Sequence, residues 1–418
     1  MAHLISVNTS SGKYWPKRHT SLFRVVLLCL LLIVLFQVFY YLKDFPVLYY
    51  SSKVVIPILL IFFYLLFALA FHDKSRVPLD GLLVLLVGIY LILISALSSY
   101  FTFGQPVYLG IAWQIKIVPL FLYFPVFFLL RNNWCDISDF YRASIILSLI
   151  AITSYIFINS VFDPANYWNE NSFFFANDSK GFRFRFPDIP VLLGLFIFFW
   201  RWRQGGRFID PFLFICFGIY FIFIHEQRLL LICIMLLIFY HLIRESKTSI
   251  KLLIIAAAPV GIFLIFSTEM FSSLISGGDA SVVSRRITAN IIISEFIKSP
   301  ANVFFGFGNL STYFNDGFES LYGPHFWLTD VGWLGLLYEY GLFGVILIVI
   351  LMFRMVQHAG RLAKLRSPFF NAMRDLVWVI LLISIIAPWI IYYSGVTATL
   401  LAIFSFADHR LKKYRSFT

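Results

Sequence analysis

The chain has 418 residues, of which 60% are hydrophobic, 20% aromatic and only 13% charged. A water-soluble globule needs about twice that charged fraction on its surface, so the composition excludes one. The formal charge of +12 does not point to nucleic acid. The basic residues sit in short loops between apolar runs, where they anchor a polytopic membrane protein on its cytoplasmic side.

Lys13, Lys17 and Arg18 precede, and Arg24 stands at the start of, a long apolar run, about 22–42, with no small-residue cleavage site. It reads as a retained first span rather than a signal peptide. Further runs near membrane length lie at about 54–71, 79–98, 108–130, 142–162, 208–224, 228–243, 251–268, 331–353 and 375–393. Two shorter ones, at about 188–200 and 395–408, bring the expected number of spans to about twelve. An N-terminus on the inside then collects most Lys and Arg, including Arg203, Arg244, Lys364, Arg366 and Arg374, in cytoplasmic segments, with both termini there too. The expected architecture is one all-α membrane domain over 1–418. Cys29, Cys135, Cys216 and Cys233 show no CxxC spacing, so neither a disulfide framework nor a zinc site is expected.

Two outer loops are long enough to build something. The first, about 163–188, mixes aromatics with Asn, Asp and Arg. Trp168, Arg183 and Arg185 are its candidates for holding sugar rings, although aromatics also gather at any membrane interface. The second, about 270–330, lacks a span-length apolar run. Within it, residues 285–297 show helical spacing, with Ser284 suited to cap them and Pro300 just past their end. That pattern predicts an amphipathic helix near the membrane plane.

Several cations are left on the outer side, where orientation does not require them. An anionic ligand is the simplest cause. Arg228 opens a span beside His225, Glu226 and Gln227; it either snorkels to the interface or grips phosphate through its planar fork. Lys116 lies roughly two turns into a span, a costly position unless it faces a polar cavity or snorkels outward. Arg285 and Arg286 are consecutive and diverge by about 100° on a helix, so one of them faces a ligand and the other faces water or lipid. His325 and Asp330 precede the span at 331–353. Either is a candidate base for a sugar hydroxyl, His325 through a neutral imidazole, while Asp330 is also placed to cap the helix that follows. There is no metal-ligand spacing, no DxD and no P-loop, so no metal and no nucleotide cofactor is expected.

The arginine at the head of a mid-chain span (Arg228), the outer loop opening with Arg285 and Arg286, the Pro300…Gly306-Phe307-Gly308 pattern and the Gly341-Leu342-Phe343-Gly344 motif together resemble the O-antigen polymerase and O-antigen ligase superfamily. The resemblance covers most of the chain by architecture and about sixty residues by motif. It implies a fold similar to the C-type membrane glycosyltransferases and a multi-pass protein of a bacterial inner membrane. It also implies a metal-independent inverting transfer that takes an undecaprenyl-diphosphate-linked glycan as donor on the periplasmic face. Arg228 and one of Arg285 and Arg286 would hold the diphosphate, with Lys116 as a further candidate. A flippase and a chain-length regulator would be its partners. Ligases carry a His close before the Gly-Leu-x-Gly span, whereas here Asp330 stands nearest and His325 lies five residues further out. The expectation is therefore a polysaccharide polymerase, with a ligase onto lipid A-core as the alternative and a lipid-linked oligosaccharide transporter as the rival from another class.

Overall fold

A computed structural model describes residues 22–36, 38, 55–70, 78–166, 175–178, 181–184, 186–225, 228–245 and 280–415. The regular elements among them are helices apart from one antiparallel hairpin, β1 (Phe175–Asp178) with β2 (Gly181–Phe184), which pairs Ala176 with Arg183. The helices are α1 (Leu22–Leu35), α2 (Ile56–Ala70), α3 (Leu79–Phe103), α4 (Val107–Trp113), α5 (Tyr123–Arg131), α6 (Ile137–Val161), α7 (Asp188–Arg203), α8 (Ile209–Tyr220), α9 (Arg228–Glu245), α10 (Ala280–Lys298), α11 (Gly332–Ala363), α12 (Pro368–Ser384) and α13 (Ser394–Arg415).

Helix α7 is the hub. It is apolar on every side and buried without a break from Asp188 to Trp200, packed against α6, α8 and α12, as a helix with no polar face must be. The outward faces are apolar as well. Leu82, Leu86, Ile89 and Leu93 of α3 and Phe343, Ile346, Ile350 and Phe353 of α11 are exposed. Apolar interior and apolar exterior together are the pattern of a protein whose solvent is lipid.

Among the described residues, α3, α6 and α11 are long and apolar enough to cross a membrane. The segments Val107–Lys116 and Val118–Arg131 make a fourth if a 57° bend between them is taken as one broken span. That is fewer than the twelve expected from apolar runs. The run at 108–130 is interrupted by 3-10 turns over Gln114–Lys116 and Val118–Leu122 with Pro119 inside, because proline cannot donate to the ladder. Leu22–Leu35, Ile56–Leu66, Ile209–Ile224 and Leu229–Arg244 are apolar but shorter, and the run at 251–268 lies outside the described residues.

Buried charges tie the helices at the end away from α10. Asp80 of α3 meets Arg354 (2.8 Å) and His358 (2.9 Å) of α11. His358 also lies 3.2 Å from Asp408 of α13, which Arg361 (3.1 Å) and Lys412 (3.0 Å) pair as well. Asp375 of α12 accepts from the Trp200 indole (2.6 Å) and lies 3.0 Å from His241 of α9.

Candidate functional site

At the opposite end, residues 299–331 and α10 form a lobe seated on α3 and α11. The seat is made by glycines. Helix α11 breaks at Gly341 (φ 68, ψ −179), and the loop after α10 turns at Gly306 (φ 78) and Gly308 (φ 80). All three φ values are in the region that favours glycine. A Cβ at Gly306 would meet the Gly341 nitrogen at 2.7 Å and the Glu339 oxygen at 2.8 Å, and one at Gly341 would collide with the Phe304 carbonyl. A Cβ at Gly308 would collide with the Ser95 carbonyl of α3. The backbones therefore touch directly. The break frees the Tyr338 carbonyl from the helix ladder, and the Phe307 N–H takes its place as donor at 2.7 Å.

Beneath the loop is a buried polar cluster. The Glu339 carboxylate accepts from Lys116 Nζ with both oxygens, at 2.7 and 2.8 Å, and from Gln114 Nε2 (2.8 Å) and Asn309 Nδ2 (3.0 Å). Tyr340 donates to the Gln114 carbonyl oxygen (2.9 Å), and Gln114 Nε2 also reaches Ser95 (2.8 Å). Gln105 donates to the Asn309 carbonyl (3.2 Å) while accepting from the Ser311 N–H (2.7 Å). Lys116 is thus held by a carboxylate inside the bundle, where its charge is already matched. The residue expected as a diphosphate candidate is thus ion-paired beneath the loop.

The lobe's own face is built on α10. Ser284, Thr288 and Ile292, one turn apart, are buried, as spacing of four requires for a single stripe. Helix α10 begins at Ala280, so Ser284 is inside it rather than at its cap as expected. Its hydroxyl and that of Thr288 donate to the His325 carbonyl, at 2.8 and 3.2 Å, and the Trp327 N–H donates back to Thr288 (3.0 Å). Phe307, Phe318, Tyr322, Phe326 and Tyr338 close an aromatic cluster against Ile292 and Phe296. Burial there pushes the Tyr322 hydroxyl above its ordinary pKa, so it stays neutral while bonding Tyr338 at 3.1 Å.

This packing separates the two arginines. Arg286 is exposed, whereas Arg285 is half-buried and its Nε meets no hydrogen-bond partner among the described residues. Arg285 follows directly on Ser284, which grips the backbone of His325, so the cation and the histidine belong to neighbouring strands of chain. The His325 side chain is exposed on a backbone fixed by two hydroxyls. Asp330 is partly buried in a 3-10 turn at the mouth of α11 and accepts from the Thr329 hydroxyl (3.1 Å).

Arg228 is the first residue of α9, just after a π-helical turn over Phe221–His225; its side chain is not among those described. Arg183 lies on β2, again with only its backbone described, and Trp168 and Arg185 fall outside the described residues. Glu339, Gln114 and Asn309 are not among the candidates that the sequence suggests. A Glu within an apolar run was the signal for the first of these. No protein-family model matches the chain, and no curated protein matches it.

Proposed function

We propose that the chain is a membrane glycosyltransferase that joins lipid-diphosphate-linked oligosaccharides, a polysaccharide polymerase working at the face that carries the 280–331 lobe. On this reading a hydroxyl of the acceptor sugar attacks the anomeric carbon of the donor. The bond from that carbon to the diphosphate oxygen breaks with inversion. The hydroxyl proton passes to His325, and the lipid diphosphate leaves with its negative charge held by Arg285 and Arg228. Removing one such cation is worth about 3 kcal/mol in the transition state, about a hundred-fold in rate.

One observation carries the reading: the half-buried Arg285, whose Nε has no hydrogen-bond partner among the described residues, follows Ser284 in the chain, and Ser284 holds the backbone of exposed His325. A cation and an imidazole carried by adjoining segments of one lobe are the groups such a transfer needs, charge stabilisation at the leaving group and a proton acceptor at the nucleophile.

A transporter reading draws on a different observation. The ion pair of Lys116 with Glu339 is buried inside the bundle, and carriers use such pairs in their pathways. Reconstitution of the full chain with an undecaprenyl-diphosphate oligosaccharide separates the two. A transferase makes a ladder of longer lipid-linked products, which His325→Ala abolishes while Asp330→Asn spares it. A carrier moves the substrate across the bilayer unchanged in length. A ligase leaves the ladder unformed until a lipid-core acceptor is added.

A further inference from the structure

Far from the lobe, the C-terminal ends of α7, α9 and α11 and the start of α12 surround a cavity of about 1380 Å³. Five cations line it, Arg203, Arg244, Lys364, Arg366 and Arg374, and no carboxylate does among the described residues. Asp375 stands behind the wall and is engaged by Arg374, His241 and Trp200. Lys364 and Arg366 are exposed. Asn371, 4% exposed, lines the same wall, and its Oδ1 meets no hydrogen-bond partner among the described residues.

Membrane orientation and helix dipoles explain cations around a rim. They do not explain five cations lining one concavity. Concave clusters of Arg and Lys hold phosphate oxygens by charge-assisted hydrogen bonds. Here the cluster sits at the ends of apolar helices, the depth of a lipid headgroup, with Tyr240 and Trp378 in the wall as interfacial anchors. The volume exceeds that of most small-molecule pockets and admits a headgroup with its glycerol.

We propose that this cavity binds the phosphate headgroup of an anionic phospholipid. The test uses the full chain in a neutral detergent, with thermal midpoints measured against added phosphatidylglycerol, phosphatidylcholine or inorganic pyrophosphate. Phosphatidylglycerol raises the midpoint in a concentration-dependent way, and phosphatidylcholine does not. Lys364→Ala with Arg366→Ala, both at exposed positions, weakens the apparent affinity by about thirty-fold. The charge-reversed pair, Lys364→Glu with Arg366→Glu, abolishes the shift. Lys298→Ala, an exposed cation on α10, leaves it intact. Equal shifts from both lipids, or a full phosphatidylglycerol shift in the double variants, overturn the site. Stabilisation by pyrophosphate without any by phosphatidylglycerol overturns the lipid assignment.

Discussion

Lys116 and Glu339 meet inside the bundle, with Nζ 2.7 Å from one carboxylate oxygen and 2.8 Å from the other, both residues buried. Lys116 comes from the bent 3-10 segment between α4 and α5, and Glu339 from the turn before α11 breaks. Two interruptions of helical geometry are thereby locked to each other by charge. Removing one partner leaves a buried charge alone, at a cost of about 3–5 kcal/mol. Lys116→Met and Glu339→Gln are each expected to lower the thermal midpoint in detergent by several degrees, while the double variant loses less than the sum. Strictly additive losses would show that the two charges do not stabilise each other.

The glycine seat gives a second expectation. At Gly341 a methyl group faces both a positive φ and the Phe304 carbonyl, whereas at Gly104 (φ 74) nothing stands within 4 Å. Gly104→Ala therefore costs only left-handed strain, about 1–2 kcal/mol. Gly341→Ala costs more and lifts the loop off α11, which proteinase K reads as faster cleavage within 299–331. Equal cleavage in the two variants would mean that the loop does not depend on this backbone contact.

The hydroxyl pair on α10 gives a third. Ser284→Ala with Thr288→Val removes both donors to the His325 carbonyl, each worth about 1 kcal/mol. The lobe remains folded on its aromatic cluster, but His325 is no longer fixed. Transfer in vesicles is expected to fall about ten-fold, with restoration by Thr288→Ser in place of Thr288→Val. A rate unchanged by the double variant would remove His325 from the site.

Much of this was legible in the sequence because apolar period and glycine spacing are local. The helix expected over 285–297, within Ala280–Lys298, and the span expected over 331–353, within Gly332–Ala363, follow from neighbours in the chain. What the sequence concealed was pairing across it. Lys116 looked like an uncompensated cation because its partner is 223 positions away. Ser284 looked like a cap because its true acceptor, the His325 carbonyl, lies 41 residues further on. In the run at 108–130, 3-10 turns with Pro119 inside break one apolar run into two segments bent by 57°, which hydropathy alone does not register. A choice between Arg285 and Arg286 rests on the packed stripe Ser284–Thr288–Ile292, which leaves the first half-buried and the second exposed.

That choice is also the sharpest point of attack. Arg285→Ala and Arg286→Ala, compared in vesicles supplied with an undecaprenyl-diphosphate oligosaccharide, differ by one position on the same helix. Elongation by the wild-type chain, its loss by about a hundred-fold in Arg285→Ala and its retention in Arg286→Ala are expected. No elongation by the wild-type chain, or elongation undiminished by Arg285→Ala, would contradict glycosyl transfer at this lobe.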